Sequence, residues 1–212
     1  MDNRNKAEKF WDRTAKTYDK EEQKDIQTYQ RIIEKTRRYL KASDVVLDFG
    51  CGTGLVSNEI ACNVGMVHAI DTSSKMIEIA KDKTTELKIQ NIDYTCSTIF
   101  DDRQVSRSYD VILAFNILHL VDDSQKVIQR MNNLLKPGGI IVSATPCMGE
   151  TPLLSNLFSL GSRIGIIPEI RALKISELES FFKKENFEII ESHHLRKNAP
   201  QYFLIARKLQ GV

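Results

Sequence analysis

The apolar positions of this chain alternate between short unbroken runs and stretches with helical spacing. Val45, Val46, Leu47 and Phe49 form one run, bounded by Ser43-Asp44 and by glycines, which predicts a short buried strand over 45–49. "LVSNEIA" then predicts a helix over 55–62. Met66, Val67, Ala69 and Ile70 predict a second strand that ends at Asp71. In "SSKMIEIAKDKTTEL", Met76, Ile77, Ala80 and Leu87 share one helical face, and Ser73 or Ser74 can cap its start. Further strands are expected at 92–95 and 109–115. A helix over 123–135, with Val127, Ile128, Met131, Leu134 and Leu135 on its apolar face, is stopped by "KPGG" at 136–139, and "IIVSAT" follows as a fifth strand. Ahead of all these, residues 4–40 read as two helices with Phe10, Trp11 and Tyr18 as aromatic points. Behind them, a helix over 176–186 leads into "FEIIESHHL" and "QYFLIARK", close enough together for an antiparallel pair.

Strands alternating with helices predict an α/β fold: a Rossmann-like, doubly wound sheet with helices on both faces. The sheet is mostly parallel, with an antiparallel strand near the C-terminus. At 212 residues one domain is expected. It divides into a helical lid over 1–44, a core over 45–145, an insertion over 147–175, and a helix with a β-hairpin over 176–212. Ligands in such sheets bind beyond the carboxyl ends of the strands.

At the end of the first strand stands "VVLDFGCGTG". Three glycines at alternate positions mark a turn that approaches something closely. The spacing excludes a P-loop, because no Lys-Ser/Thr pair follows. Asp48 sits two residues before Gly50, where a carboxylate repels a pyrophosphate and welcomes an ammonium group. A ligand with a cationic end and a nucleoside end suits this turn, and S-adenosylmethionine is such a ligand. Asp71, about 20 residues after the turn, is placed to accept from ribose hydroxyls.

Composition narrows the field. Apolar residues make up 42% and charged residues 27%, as in ordinary globular proteins. A net charge of +2 gives no basic footprint for nucleic acid. No apolar run is long enough to span a membrane, and the charged N-terminus lacks the apolar stretch of a secretory signal. Cys51, Cys62, Cys96 and Cys147 are scattered, so no metal is expected and reduced thiols in a cytoplasmic protein are the reading. Oligomeric state is not indicated.

"VVLDFGCGTG", "HAIDTSSKMIEIAK", "SYDVILAFNILHLVDD" and "LLKPGG" resemble the successive motifs of class I S-adenosylmethionine-dependent methyltransferases. The resemblance is strongest to the small-molecule group that includes the ubiquinone and menaquinone biosynthesis enzymes, and it holds in register over residues 8–145. It implies S-adenosylmethionine as cofactor, S-adenosylhomocysteine as product and a small-molecule acceptor. It also implies roles for matched residues. Gly50, Cys51 and Gly52 would follow the methionine part and adenosine, with Asp48 near the ammonium end. Asp71 with Thr72 would take the ribose, and Met76 would pack near the adenine. Trp11 and Tyr18 match an N-terminal aromatic segment that closes over the cofactor. Many members carry Gly-Asp-Ala after the third strand; this chain has Ser97-Thr98-Ile99, which leaves Thr98 and the Ile99 backbone at the adenine without an acid.

Methyl transfer from a sulfonium mainly needs the acceptor held in line and water excluded. A general base is needed only where the acceptor must lose a proton. His119 is the candidate base, and Asn116, ending the fourth strand, is a cofactor-side or positioning residue. The apolar segment 147–175, with Leu157, Phe158, Arg163 and Arg171, is expected either to pack as a flap or to cap a hydrophobic or aromatic acceptor. The alternative function is a cofactor-binding protein without transfer, or an enzyme using the cofactor for other chemistry.

Overall fold

The computed structural model describes residues 3–151, 170–196 and 199–210. The chain opens with helices α1 (Asn3–Glu22) and α2 (Ile26–Arg37). Strand β1 (Val45–Phe49), helix α3 (Leu55–Ile60), strand β2 (Met66–Asp71), helix α4 (Ser74–Glu86) and strand β3 (Ile92–Cys96) follow. Next come β4 (Tyr109–Phe115), α5 (Ser124–Leu134), β5 (Leu135–Pro146), α6 (Ile175–Lys184), β6 (Phe187–His194) and β7 (Gln201–Lys208).

The strands form one seven-stranded sheet in the order β3-β2-β1-β4-β5-β7-β6. The first five are parallel, and β7 pairs antiparallel with both β5 and β6. Alternation along each strand separates two cores. Leu47, Ile112, Ile141 and Leu204 face α5 and α6, meeting Ile128, Met131 and Phe182. Val46, Val111, Val142 and Phe203 face the other way, toward Ile33 of α2, Ile60 of α3 and Ile77 of α4. Helices therefore cover both faces, and the central strands are buried on both sides, as a parallel sheet requires.

Helix starts follow their caps. Ser73 accepts from the Met76 N–H at the head of α4, and Asp123 accepts from the Lys126 N–H at the head of α5. "KPGG" does end α5, but β5 begins at once at Leu135 rather than at Ile140. Gly138, at φ +77°, lets the strand pass an irregularity in its pairing with β4, between Tyr109 and Val111. No helix of the described residues is long and apolar enough to cross a membrane.

Of the segment 147–175, Cys147–Thr151 and the residues from Ile170 onward are described. Leu157, Phe158 and Arg163, central to the cap expected from sequence, lie outside the described residues. Arg171 pairs with Glu177 at 2.7 Å and packs over the Phe181 ring.

Candidate active site

In the strand order, β1 and β4 are neighbours, while the chain runs from β1 toward β3 and then from β4 toward β7. The sheet's switch point thus lies at the carboxyl ends of β1 and β4, where a crevice forms. Two adjoining cavities of about 310 and 250 Å³ open there, sharing Tyr18, Glu22, Gly50, Phe115 and Asn116. Together they have the size of a metabolite site.

The glycine turn forms the floor. Gly50, Gly52 and Gly54 all have left-handed φ, at +74°, +53° and +75°, which accounts for their spacing. They are not equivalent. A Cβ on Gly54 would run into the Tyr94 hydroxyl and come within 3.1 Å of the Ala80 methyl, so that glycine serves strand–helix packing. A Cβ on Gly52 would meet only the Tyr18 ring, at 3.6 Å, so that glycine faces the cavity. Burial pushes the Cys51 thiol well up, and the nearby Asp48 and Asp71 add to this, which leaves it protonated and inert.

Asp48 is buried and accepts from the Ser57 hydroxyl at 2.6 Å. Burial raises its carboxyl to about 6, against the partly offsetting Ser57 bond. Asp71 ends β2 and joins two elements: it accepts from the Gly52 N–H at 2.9 Å and from the Ser73 N–H at 2.8 Å. Burial raises its carboxyl also, with those backbone donors pulling the other way. Thr72 and Met76 line the larger cavity beside it. No lysine or arginine lines either cavity among the described residues, whereas Glu22, Asp48 and Asp71 do.

Above the floor lies α1. Trp11 and Tyr18, two helical turns apart, both line the larger cavity, with ring centroids 6.1 Å apart and planes at 82°. Asn116 leaves β4 with φ +52°, a conformation that asparagine tolerates better than most residues. Its Oδ1 accepts from Gln201 Nε2 at 2.6 Å, which fixes the amide at the junction of the cavities.

His119 lines the larger cavity with Ile117, Leu120, Pro146 and Ile170. Burial lowers its pKa to about 4, so the ring is neutral near pH 7. Its Nδ1 is buried without a hydrogen-bond partner among the described residues, so none of these orients it as a second group does in a typical base dyad.

At the end of β3 the geometry differs from the expectation. Thr98 and Ile99 are not among the cavity-lining residues; Ser97 is. The Ile99 side chain enters the core and its carbonyl accepts from Arg130 Nε, while the chain turns inward one residue earlier, with Ser97 N–H on Asp71 O. The Ser97 hydroxyl is buried and has no hydrogen-bond partner among the described residues. Glu22 and Gln201 were also missed. Glu22 lay hidden in a charged helical run, and Gln201 opens a strand from the far end of the chain.

Residues 40–164 match the methyltransferase-domain family. The chain belongs to that family. It is 34% identical over 100 residues to a ubiquinone biosynthesis O-methyltransferase of Coxiella burnetii, covering 47% of this chain and 42% of that protein. It is 29% identical over 167 residues to the enzyme so named in Rickettsia bellii, covering 76% and 69%. The chain thus spans about two fifths of the Coxiella protein's length. Among solved structures, a SAM-dependent methyltransferase of Methanosarcina mazei superposes with a TM-score of 0.68 at 21% identity, covering 82% of this chain and 96% of that one. At that identity the likeness bears on the fold.

Proposed function

We propose that this protein moves a methyl group from S-adenosylmethionine to a small-molecule acceptor. The observation that carries the reading is the charge of the crevice: three enclosed carboxylates, from Glu22, Asp48 and Asp71, and no cationic side chain among the described residues. Such a lining disfavours a pyrophosphate cofactor and favours a ligand carrying net positive charge. Bound there, S-adenosylmethionine supplies an electrophilic methyl group on its sulfonium. In this reading Asp71 and Thr72 hold ribose hydroxyls, Asp48 faces the ammonium end, and Met76 and Ser97 border the adenine. Gly52 admits the ligand, Trp11 and Tyr18 close over it, and Gln201 holds the Asn116 amide where the methyl group is delivered. Neutral His119 accepts a hydrogen bond or a proton from the acceptor, beside the apolar wall of Ile117, Leu120 and Ile170. That wall, together with the named relatives, supports a hydrophobic or aromatic acceptor.

Titration calorimetry with S-adenosylmethionine and S-adenosylhomocysteine tests the cofactor, with dissociation constants in the micromolar range, roughly, expected for a metabolite enzyme. Absence of heat and of thermal shift with both rejects the reading. A screen with methyl-labelled cofactor across phenols, amines and quinols then separates transfer from binding alone.

A further inference from the structure

The lid helix carries a repeated pair: Trp11-Asp12 and Tyr18-Asp19, seven residues apart. Seven residues are close to two turns, so both aromatics share one face and both acids the next. The aromatics line the cavity, and each acid reaches the body of the protein beside its aromatic. Asp12 Oδ1 accepts from Ser73 Oγ at 2.6 Å and from the Lys75 N–H at 3.1 Å, at the head of α4. Asp19 forms an ion pair with Lys83, near the end of α4, and accepts from the Thr53 hydroxyl in the glycine turn. Lys83 also donates to the Thr53 carbonyl at 3.2 Å.

We infer that Asp12 and Asp19 are positioning residues, a two-point latch that holds Trp11 and Tyr18 over the cavity. The inference rests on the cofactor reading above for its purpose and on the contacts for its geometry. Ser73 joins the latch to the site. Its hydroxyl donates to Asp12 and accepts from the Met76 N–H, while its own N–H donates to Asp71 Oδ1. A ligand that engages Asp71 is therefore one residue from the latch. Charge-assisted bonds of this kind hold a fixed geometry well, yet the partly exposed Lys83–Asp19 pair is open to screening by salt. The lid can thus close firmly and still release.

Trp11 is the chain's single tryptophan, so its fluorescence reports the lid directly. Acrylamide quenching is measured on the native protein, Asp12→Ala, Asp19→Ala, Asp19→Glu, and the swap of Asp19→Lys with Lys83→Asp. Both alanine variants should raise quenching without ligand and weaken S-adenosylhomocysteine binding by about fivefold to tenfold. Their melting temperatures should stay within about 2 °C of native, as for partly exposed polar contacts. Asp19→Glu and the swap should recover much of both readouts, which a purely structural residue would not do. Unchanged quenching in both alanine variants overturns the latch, as does a large loss of melting temperature that the swap fails to restore. Should the native protein bind no S-adenosylhomocysteine, the cofactor reading falls, while quenching in the ligand-free variants still judges the latch.

Discussion

Helix α5 is 11 residues long and buries Val127, Ile128, Met131 and Leu134 against the sheet. Helix α1 is 20 residues long, and Ala15 is its one buried apolar residue among the described side chains. Apolar burial contributes about 1.5–3 kcal/mol for each large side chain, so α5 is bound into the core whatever the crevice holds. In α1, Phe10, Trp11 and Tyr18 are only half-buried, so α1 gains less from burial than α5 does. It is held by Asp12 and Asp19, by the edges of its aromatics, and by whatever lies beneath them. On the inference above, the difference separates scaffold from lid. Elements that must open are fastened by directional contacts that can be broken singly, and elements that must stay are fastened by area.

The sharpest way to break this comparison is to truncate one side chain in each helix. Met131 is fully buried, and Met131→Ala should cost about 3 kcal/mol, within the usual 2–5 for such cavities. In a chain of this size that lowers the melting temperature by roughly 6–12 °C. Trp11→Ala should shift melting by about 2 °C or less while weakening cofactor binding. Equal losses of melting temperature would mean that α1 belongs to the scaffold.

Asp48 lies beneath the end of α1, in the cavity it shares with Glu22, and sharpens the contrast from below. Its carboxyl is raised to about 6 by burial, above an unfolded value of about 3.9. A group raised in this way binds its proton more tightly in the folded state. Its favourable contribution is full below about pH 4 and is lost as pH climbs through about 6. Near pH 7 the ligand-free protein therefore carries an ionised buried acid that costs about 2–3 kcal/mol. Asp48→Asn keeps an acceptor for the Ser57 hydroxyl and removes that charge. It should raise the ligand-free melting temperature at pH 7.5 by roughly 4–12 °C, and the gain should shrink at pH 5. Cofactor affinity should fall. A lower melting temperature at pH 7.5 would show that the ionised form is already compensated.

Sequence made the scaffold legible and the lid only half so. The spans of β1 and β2, the Ser73 cap and the antiparallel pair could all be read, because apolar period, caps and turn residues are local signals. The floor of the crevice was legible for the same reason: the left-handed Gly50 and Gly52 and the acids Asp48 and Asp71 stand at fixed offsets. At the end of β3 the cavity-lining residue is Ser97, one position before the Thr98 expected from sequence, since the strand's exit depends on pairing with Asp71 and not on the letters of the loop. Asp12 and Asp19 were visible beside their aromatics, but their partners, Ser73, Thr53 and Lys83, are 30 or more residues away in sequence. Gln201 meets Asn116 only because β7 enters the sheet from the far end of the chain. Contacts of that reach leave no periodicity to read.

Where α1 meets the glycine turn, the expected effect on stability is modest. Gly52 has φ +53°, so an alanine there costs about 1–2 kcal/mol of backbone strain, and its Cβ would rest at an ordinary 3.6 Å from the Tyr18 ring. Gly52→Ala should therefore leave α1 seated and the fold nearly as stable, yet narrow the space between Tyr18 and the turn, so S-adenosylhomocysteine binding should weaken at least tenfold. Gly52→Val adds branches that press on Tyr18, so Trp11 quenching should rise as it does when the latch is cut. Gly54→Ala, by contrast, collides with Tyr94 inside the scaffold and should lower the melting temperature more than Gly52→Ala does. Melting curves and ligand titrations of the three variants separate these cases. If Gly52→Ala binds ligand like the native protein, the turn's open glycine serves packing, and the crevice beneath Tyr18 is not where the ligand lies.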